Sequence, residues 1–280
     1  MSRRRGRRSS GVEGMERAKI ASQVSSLGSQ LKTLSDKEKH DINAGVLIAL
    51  SEIGFEELPK FLKDFVDNKT IIKKNDRFCF GIELIERCLE NCNRTILLHH
   101  QNRENHLDLT IGNVYCGTGG AAPMNLDLKK KVYRPSLSKD LLNAARVVDR
   151  LSNLSFFSRP LVLTDITDPH FMDLYTAVIS LSATRKHVMT SVANHKTVKP
   201  LAEICYLIAG GEEAFRKSPF LSLNINFLIP PFRFDTEACE VMSESVKYGI
   251  PIMANVFGQR GASSPVSVVG SVCQTIAETL

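Results

Sequence analysis

Nowhere do the 280 residues run both long and apolar enough to cross a bilayer. The uncharged stretch at residues 261–277 is too short and carries five Ser or Thr. No apolar segment follows the N-terminal arginines, so a secretory signal is excluded, and Glu13 and Glu16 speak against a cleaved transit peptide. The seven cysteines, at 79, 88, 92, 116, 205, 239 and 273, are odd in number and scattered. They read as reduced structural thiols of a soluble, cytoplasmic protein, with no disulfide framework. Cys88 and Cys92 share a helical face, but no second pair or His cluster has zinc spacing, so no metal is expected. Repeats of 20 to 50 residues are also missing.

Charge of one sign is missing too, once its location is considered. The net charge of +6 comes from the leader "SRRRGRRSSG": without Arg3, Arg4, Arg5, Arg7 and Arg8, 31 Lys and Arg stand against 30 Asp and Glu. The leader reads as a solvated, disordered tail of about residues 1–15, and a near-neutral body gives no reason to expect a nucleic-acid partner. With 43 % hydrophobic and 24 % charged residues the body has a globular composition.

What is present divides near residue 110. Residues 16–110 read as a helical extension, with apolar stripes at Leu47–Ile53, from Leu58 to Val66 opened by Pro59, and from Ile82 to Cys92, and one candidate strand at 94–100. From residue 111 to 280 strand and helix patterns alternate. "NVYC" at 113–116, "PLVLTD" at 160–165, "KHVMTSV" at 186–192, "FLSLNINFLI" at 220–229 and "IPIMANVF" at 250–257 read as strands. Between them lie helices signalled by Ser138, by Asp168 with Pro169, by Pro200 and by Asp235. Gly210 and Gly249 stop two of them, and Ser264-Pro265 opens the last.

The later strand starts recur at roughly 30 residues, one βα unit, and their Val, Ile and Leu runs indicate strands buried on both faces of a parallel sheet. A (β/α)8 TIM barrel takes about 250 residues, whereas residues 111–280 hold only about five units. The fold expected is therefore an incomplete barrel, with further residues beyond Leu280. The last helix ends on an apolar stripe of Val266, Val269, Cys273, Ile276, Ala277 and Leu280. An open doubly wound sheet of five strands is the alternative.

"GTGGAA", residues 117–122, matches a G-x-G-x-x-A dinucleotide fingerprint. That motif works only when the turn opens into a helix facing the pyrophosphate. Pro123 and the hairpin-like "MNLDLKKKVYRP" follow instead, which counts against a nicotinamide-dependent oxidoreductase. In a barrel, groups after each strand converge on one face. They would be Gly117, Thr118 and Gly119, Asp165, Asp168, Ser191, Asn194, Asn226, and Asn255 with Gln259. Asp168 also suits a helix cap, Asp165 is freer, and asparagines in apolar strands must find partners or face a cavity. His99, His100, His170 and His195 have no nucleophile at a recognisable spacing.

The most specific segment is "GQRGASSPVSVVGSVCQTIAETL", 258–280, where a glycine turn, Ser264-Pro265 and small residues let a helix approach a strand or large ligand closely. With "GTGGAAP", "YRPSLSKDLLNAARVVDRL", "NHKTVKP" and "GGEEAFRKSPFLSLNIN" in the same order, the sequence resembles the corrinoid-dependent trimethylamine methyltransferase family from about residue 45 onward. The resemblance implies a TIM barrel with an N-terminal helical extension. It also implies transfer of a methyl group from trimethylamine or a quaternary amine such as glycine betaine to the cobalt of a partner corrinoid protein, with no tightly bound cofactor. The family's trimethylamine branch uses a pyrrolysine beyond the segment present, so the amine is undecided. Self-association is left open. On this reading Gly117, Thr118, Gly119, Asp165, Asn194, Asn226 and Asn255 line the amine pocket. Gly258, Gly261, Ser264 and Pro265 border the corrinoid entrance. A truncated barrel that only binds a partner is the non-catalytic alternative.

Overall fold

Four short apolar strands form the centre of the protein: β1 (Phe156–Ser158), β2 (His187–Thr190), β3 (Leu221–Asn226) and β4 (Ile252–Asn255). The computed structural model describes residues 26–27, 32–64, 66, 70–103, 105–110 and 112–280. The arginine leader and the expected boundary at residue 15 lie outside the described residues. The strands pair in chain order, every neighbouring pair parallel. Gly117 bridges to Phe156 in the same sense and so places the segment after "NVYC" along the free edge of β1. The sheet lacks the reversal of strand order that a doubly wound fold requires. Successive right-handed crossovers in such an order put every helix on one side.

The register divides the strands into two faces, because side chains alternate along each strand. Phe157, Val188, Leu221, Leu223 and Ile225 point to the helices and are buried. Their partners are α3 (Ser138–Arg150), α4 (Pro169–Ala183), α5 (Val198–Ala209), the short α6 (Glu212–Lys217) and α7 (Thr236–Lys247), and α3–α4, α4–α5 and α5–α7 are neighbours. The other face carries Phe156, Ser158, His187, Met189, Ser222 and Asn224, with Asn226 and Asn255 side by side at its end.

Local chemistry explains most of the helix limits. The Asp168 carboxylate accepts from Phe171 N at 3.0 Å with Pro169 in the first turn, and Asp235 accepts from Ala238 N at 2.9 Å. Gly210 closes α5 in the left-handed region, at φ 83°. Four expectations need correction. The strand expected at 160–165 is instead β1 at 156–158. After it, Val162 N and Thr164 N bond to Ala122 O and Ser136 O, so this segment joins the flanks of the 124–135 hairpin rather than the parallel sheet. Ser138 is the first residue of α3, not its cap; the Asp140 carboxylate takes Leu137 N instead. The run 220–229 divides at Phe227 into β3 and a two-residue strand, 228–229, that turns back on Arg233–Phe234.

The fourth correction concerns the last helix, α8 (Val268–Thr279). Ser267, not the Ser264-Pro265 step, is its cap, accepting from Gly270 N. Its buried side carries Gln274, Ala277 and Glu278, whereas Val266 and Val269 are 79 % and 60 % exposed. The apolar stripe named above is therefore mostly exposed.

The N-terminal part is less purely helical than its periodicity suggests. Helix α1 (Asp36–Ile48) opens with a Ser35–Glu38 capping box and runs into a wide turn ending at Gly54, and α2 (Ile82–Glu90) matches its expected stripe. The stretch from Pro59 gives a single turn, Lys60–Lys63. Two antiparallel hairpins complete it, Ile71–Lys74 with Arg77–Phe80 and Leu97–His99 with His106–Asp108. Leu98 and Leu107 of the second hairpin pack on Met189, and His99 O accepts from His187 Nδ1. This hairpin covers the start of β1 and β2 and leaves the strands' C-terminal ends as the polar end of the inner face.

Candidate functional site

On the free edge of the sheet Gly117 lies opposite Phe156, the first residue of β1. A Cβ there would lie 2.3 Å from the Phe156 ring, so only glycine lets the chain pass. Thr118 Oγ1 then donates to Ser158 O at 2.6 Å, and Ser158 Oγ accepts from Asn224 Nδ2 at 3.3 Å. Asn224 Oδ1 is buried without a hydrogen-bond partner among the described residues. Asn226, exposed, and Asn255, half-buried, follow at the ends of β3 and β4. Asn226 and Asn255 thus pair at the ends of β3 and β4, whereas Gly117 and Thr118 lie beside β1, two and three strands away, and Gly119 continues their turn in open space.

Asp165 and Asn194 are engaged locally. Asp165 accepts from Ser138 N at 2.9 Å and from Ser138 Oγ at 2.6 Å, fastening the loop after β1 to the start of α3. Its partial burial raises its pKa, but the Ser138 bonds outweigh that and hold it below the ordinary carboxylate value. Asn194 Oδ1 accepts from Lys196 N at 2.9 Å and shapes the turn into α5. Next to it, His195 Nδ1 lies 2.9 Å from Glu237 Oε1 and 3.2 Å from Glu240 Oε2. Among the described residues this is the one trio of side chains disposed as metal ligands; Glu240 also pairs with Lys60 at 3.2 Å.

The 258–265 loop is knit to itself and to α8. Ala262, Ser263 and Ser264 all donate their N–H to Gln259 O, Gly261 turns at φ 83°, and buried Ser264 shares a 2.8 Å hydroxyl bond with Ser271. Pro265 is exposed beside it. Gly258 lies against Thr275 and Ser264. These four residues belong to one loop, with Ser264 buried inside it, and none of their contacts given above reaches Gly117–Gly119.

Sequence reasoning missed several members of this end. Ser158 and Asn224 escaped because the strand was expected four residues later, which put them in no common register. Arg159 and Asp173 form a buried pair, Nη1 to Oδ1 at 3.8 Å, and Asp173 Oδ2 accepts from Ala193 N at 2.8 Å. Burial raises the Asp173 pKa and lowers that of Arg159. A carboxylate inside the apolar pattern of α4 was the available signal.

The family profile described as trimethylamine methyltransferase (MTTB) matches residues 2–280. The chain belongs to this family. Among curated relatives, trimethylamine methyltransferase MttB of Desulfitobacterium hafniense is 27 % identical over 262 residues, 90 % of this chain and 51 % of the relative. MttB of Methanosarcina barkeri strain Fusaro is 28 % identical over 221 residues, covering 77 % of this chain and 43 % of its own. MttB1 of Methanosarcina acetivorans is 26 % identical over 221 residues, with the same coverage. The chain thus spans about half the length of the trimethylamine methyltransferase relatives it matches. No helix among the described residues is long and apolar enough to cross a membrane.

Proposed function

We propose that this protein moves a methyl group from a methylated amine, trimethylamine or a quaternary amine such as glycine betaine, to the cobalt of a corrinoid protein. We also propose that its parallel sheet is an arc of a (β/α)8 barrel. The family match over residues 2–280 carries the reading. Parallel strands in chain order, with helices on one side and polar groups at their C-terminal ends, support it, since barrel enzymes hold their sites at that end.

In the proposed reaction the nitrogen is cationic, either a quaternary ammonium or trimethylamine already protonated, and its N–CH3 bond breaks with the electron pair left on nitrogen, releasing a neutral amine. A cobalt–methyl bond forms with the pair supplied by cobalt(I), brought by the partner protein. The reagent carries the hard step, and this chain's task is to hold the carbon in line. Gly117, Thr118, Gly119, Asn226 and Asn255 border the amine pocket: the glycine turn leaves room for the methyl groups and the asparagine amides present carbonyl dipoles to a cationic nitrogen. Asp165 and Asn194 serve this pocket through the loops they fasten. Gly258, Gly261, Ser264 and Pro265 form the surface offered to the corrinoid protein. The free cysteines fit a reducing cytoplasm.

Mixing the purified protein with a cobalt(I) corrinoid protein and either amine tests this. Growth of methyl-cobalt absorption with one amine is the expected result, and its absence with every methylated amine offered would overturn the proposal.

A further inference from the structure

Helix α2, the Ile71–Phe80 hairpin, the turn after β3 and the end of α8 enclose a cavity of about 670 Å3. Its walls are apolar, with the rings of Phe55, Phe80, Phe227 and Phe234 among them. The volume suits a drug-sized molecule. Glu278 of α8 also lines it and is 2 % exposed. Its Oε1 accepts from Phe232 N at 2.8 Å and from Gln274 Nε2 at 3.1 Å. Its Oε2 is buried and has no hydrogen-bond partner among the described residues.

A carboxyl oxygen left unpaired in apolar surroundings is unfavourable until a donor reaches it. The other charged group at the cavity, Arg87, is exposed on α2. A donor arriving here therefore meets one acidic group set among aromatic faces, which attract cations. We propose that the cavity binds an apolar amine: a hydrocarbon or aromatic body among the phenylalanines, and one N–H-bearing head donating to Oε2 of Glu278. Burial raises the Glu278 pKa against the pull of its two hydrogen bonds, and an ammonium beside it would bring it down again. This goes beyond the methyl-transfer reading. None of the strand-end residues lines the cavity, and its size exceeds the needs of a small methylated amine.

Two thiols make the site readable. Cys88 and Cys92 line the cavity, whereas Cys116, also exposed, does not. Iodoacetamide labelling of each cysteine, followed by mass spectrometry, would be run on the full chain with 2-phenylethylamine, 3-phenylpropionate or ethylbenzene. The amine should slow labelling of Cys88 and Cys92 several-fold and leave Cys116 unchanged, and the acid should slow none of the three. Glu278→Gln, which keeps the acceptor for Phe232 and Gln274 but puts an amide N–H2 at the Oε2 position, should raise the amine concentration needed about tenfold. Should that variant not fold, Leu89→Trp fills the cavity from an exposed lining position and should abolish the protection. Labelling unaffected by the amine would overturn the proposal. So would equal protection by ethylbenzene, or protection that survives both substitutions. Methyl transfer is not assayed, so this test fails or succeeds separately from the proposed activity.

Discussion

The parallel sheet with its helices and the N-terminal part before residue 110 are built from contacts of different reach. In the sheet, β2 and β3 are flanked on both sides by parallel partners far away in sequence, and their helix-facing side chains are wholly buried. In the N-terminal part the hairpins pair neighbours only a few residues apart, and one strand of the first, Ile71–Lys74, buries a single residue. Non-local parallel pairing has to be formed with its covering helices at once, whereas a hairpin and an edge helix can open alone. The sheet should therefore be one cooperative unit and the extension a softer attachment.

The largest expected effect sits in the sheet. Phe157 of β1 is fully buried between Leu141, Ala145 and Leu163. Phe157→Ala should cost about 3–5 kcal/mol in urea unfolding, the usual loss for a buried phenyl ring. Ile72→Ala in the first hairpin, at a position 39 % exposed, should shift the same transition by less than about 1 kcal/mol. Equal shifts would erase the distinction between the two regions.

The next effect lies on their seam. His187 donates from Nδ1 to His99 O and its Nε2 accepts from Ser222 Oγ, while His100 is buried nearby. Burial pushes the pKa of both His100 and His187 down from 6.5 to about 4. The unfolded chain binds more protons than the folded one between these values, so stability is full above pH 6.5 and falls as pH drops toward 4. At pH 5 the loss is roughly 2 kcal/mol per histidine. Urea midpoints at pH 7.5 and 5 check this, and His187→Gln should remove about half of the histidine contribution to the slope. A slope left unchanged by that substitution would show that the second hairpin is not held by this contact.

The same contrast explains what the sequence made legible. Asp168 with Pro169, Asp235, Gly210 and the α2 stripe were readable because a cap or a helical face is decided within a few residues. The order of strands after residue 150 followed from their spacing. Register did not: Phe156–Ser158 is a strand because Phe156, Phe157 and Ser158 align with His187, Val188 and Met189, and nothing within "SFFSRPLVL" selects that segment over its continuation. The exposure of Val266 and Val269 was hidden for a similar reason, since a stripe shows that one side of a helix is apolar but not which side finds a partner. Asp165 looked free because its partner, Ser138, stands 27 residues earlier and reads on its own as a cap.

The smallest expected effect decides what joins the two regions. Two kinds of contact cross between the N-terminal part and the strands and helix after β3. Phe55 stacks on Phe234 at 4.7 Å between centroids and meets Phe232 edge-on at 5.4 Å, with Glu56 N donating to Phe232 O. Lys60 pairs with Glu240 at 3.2 Å, but the lysine side chain is 78 % exposed. An ion pair so open to water gains little beyond what its ends obtain from solvent, roughly 0–1 kcal/mol, and salt screens it. Lys60→Ala should therefore leave the urea midpoint almost unchanged at 0.15 M salt, and the double-mutant cycle with Glu240→Ala should give a coupling below about 1 kcal/mol. Glu240 keeps His195 at 3.2 Å when Lys60 is gone, which reduces the effect further. A larger, salt-sensitive coupling would make charge rather than the Phe55 stack the fastening of the extension, and would turn the soft attachment inferred above into an electrostatically tuned one.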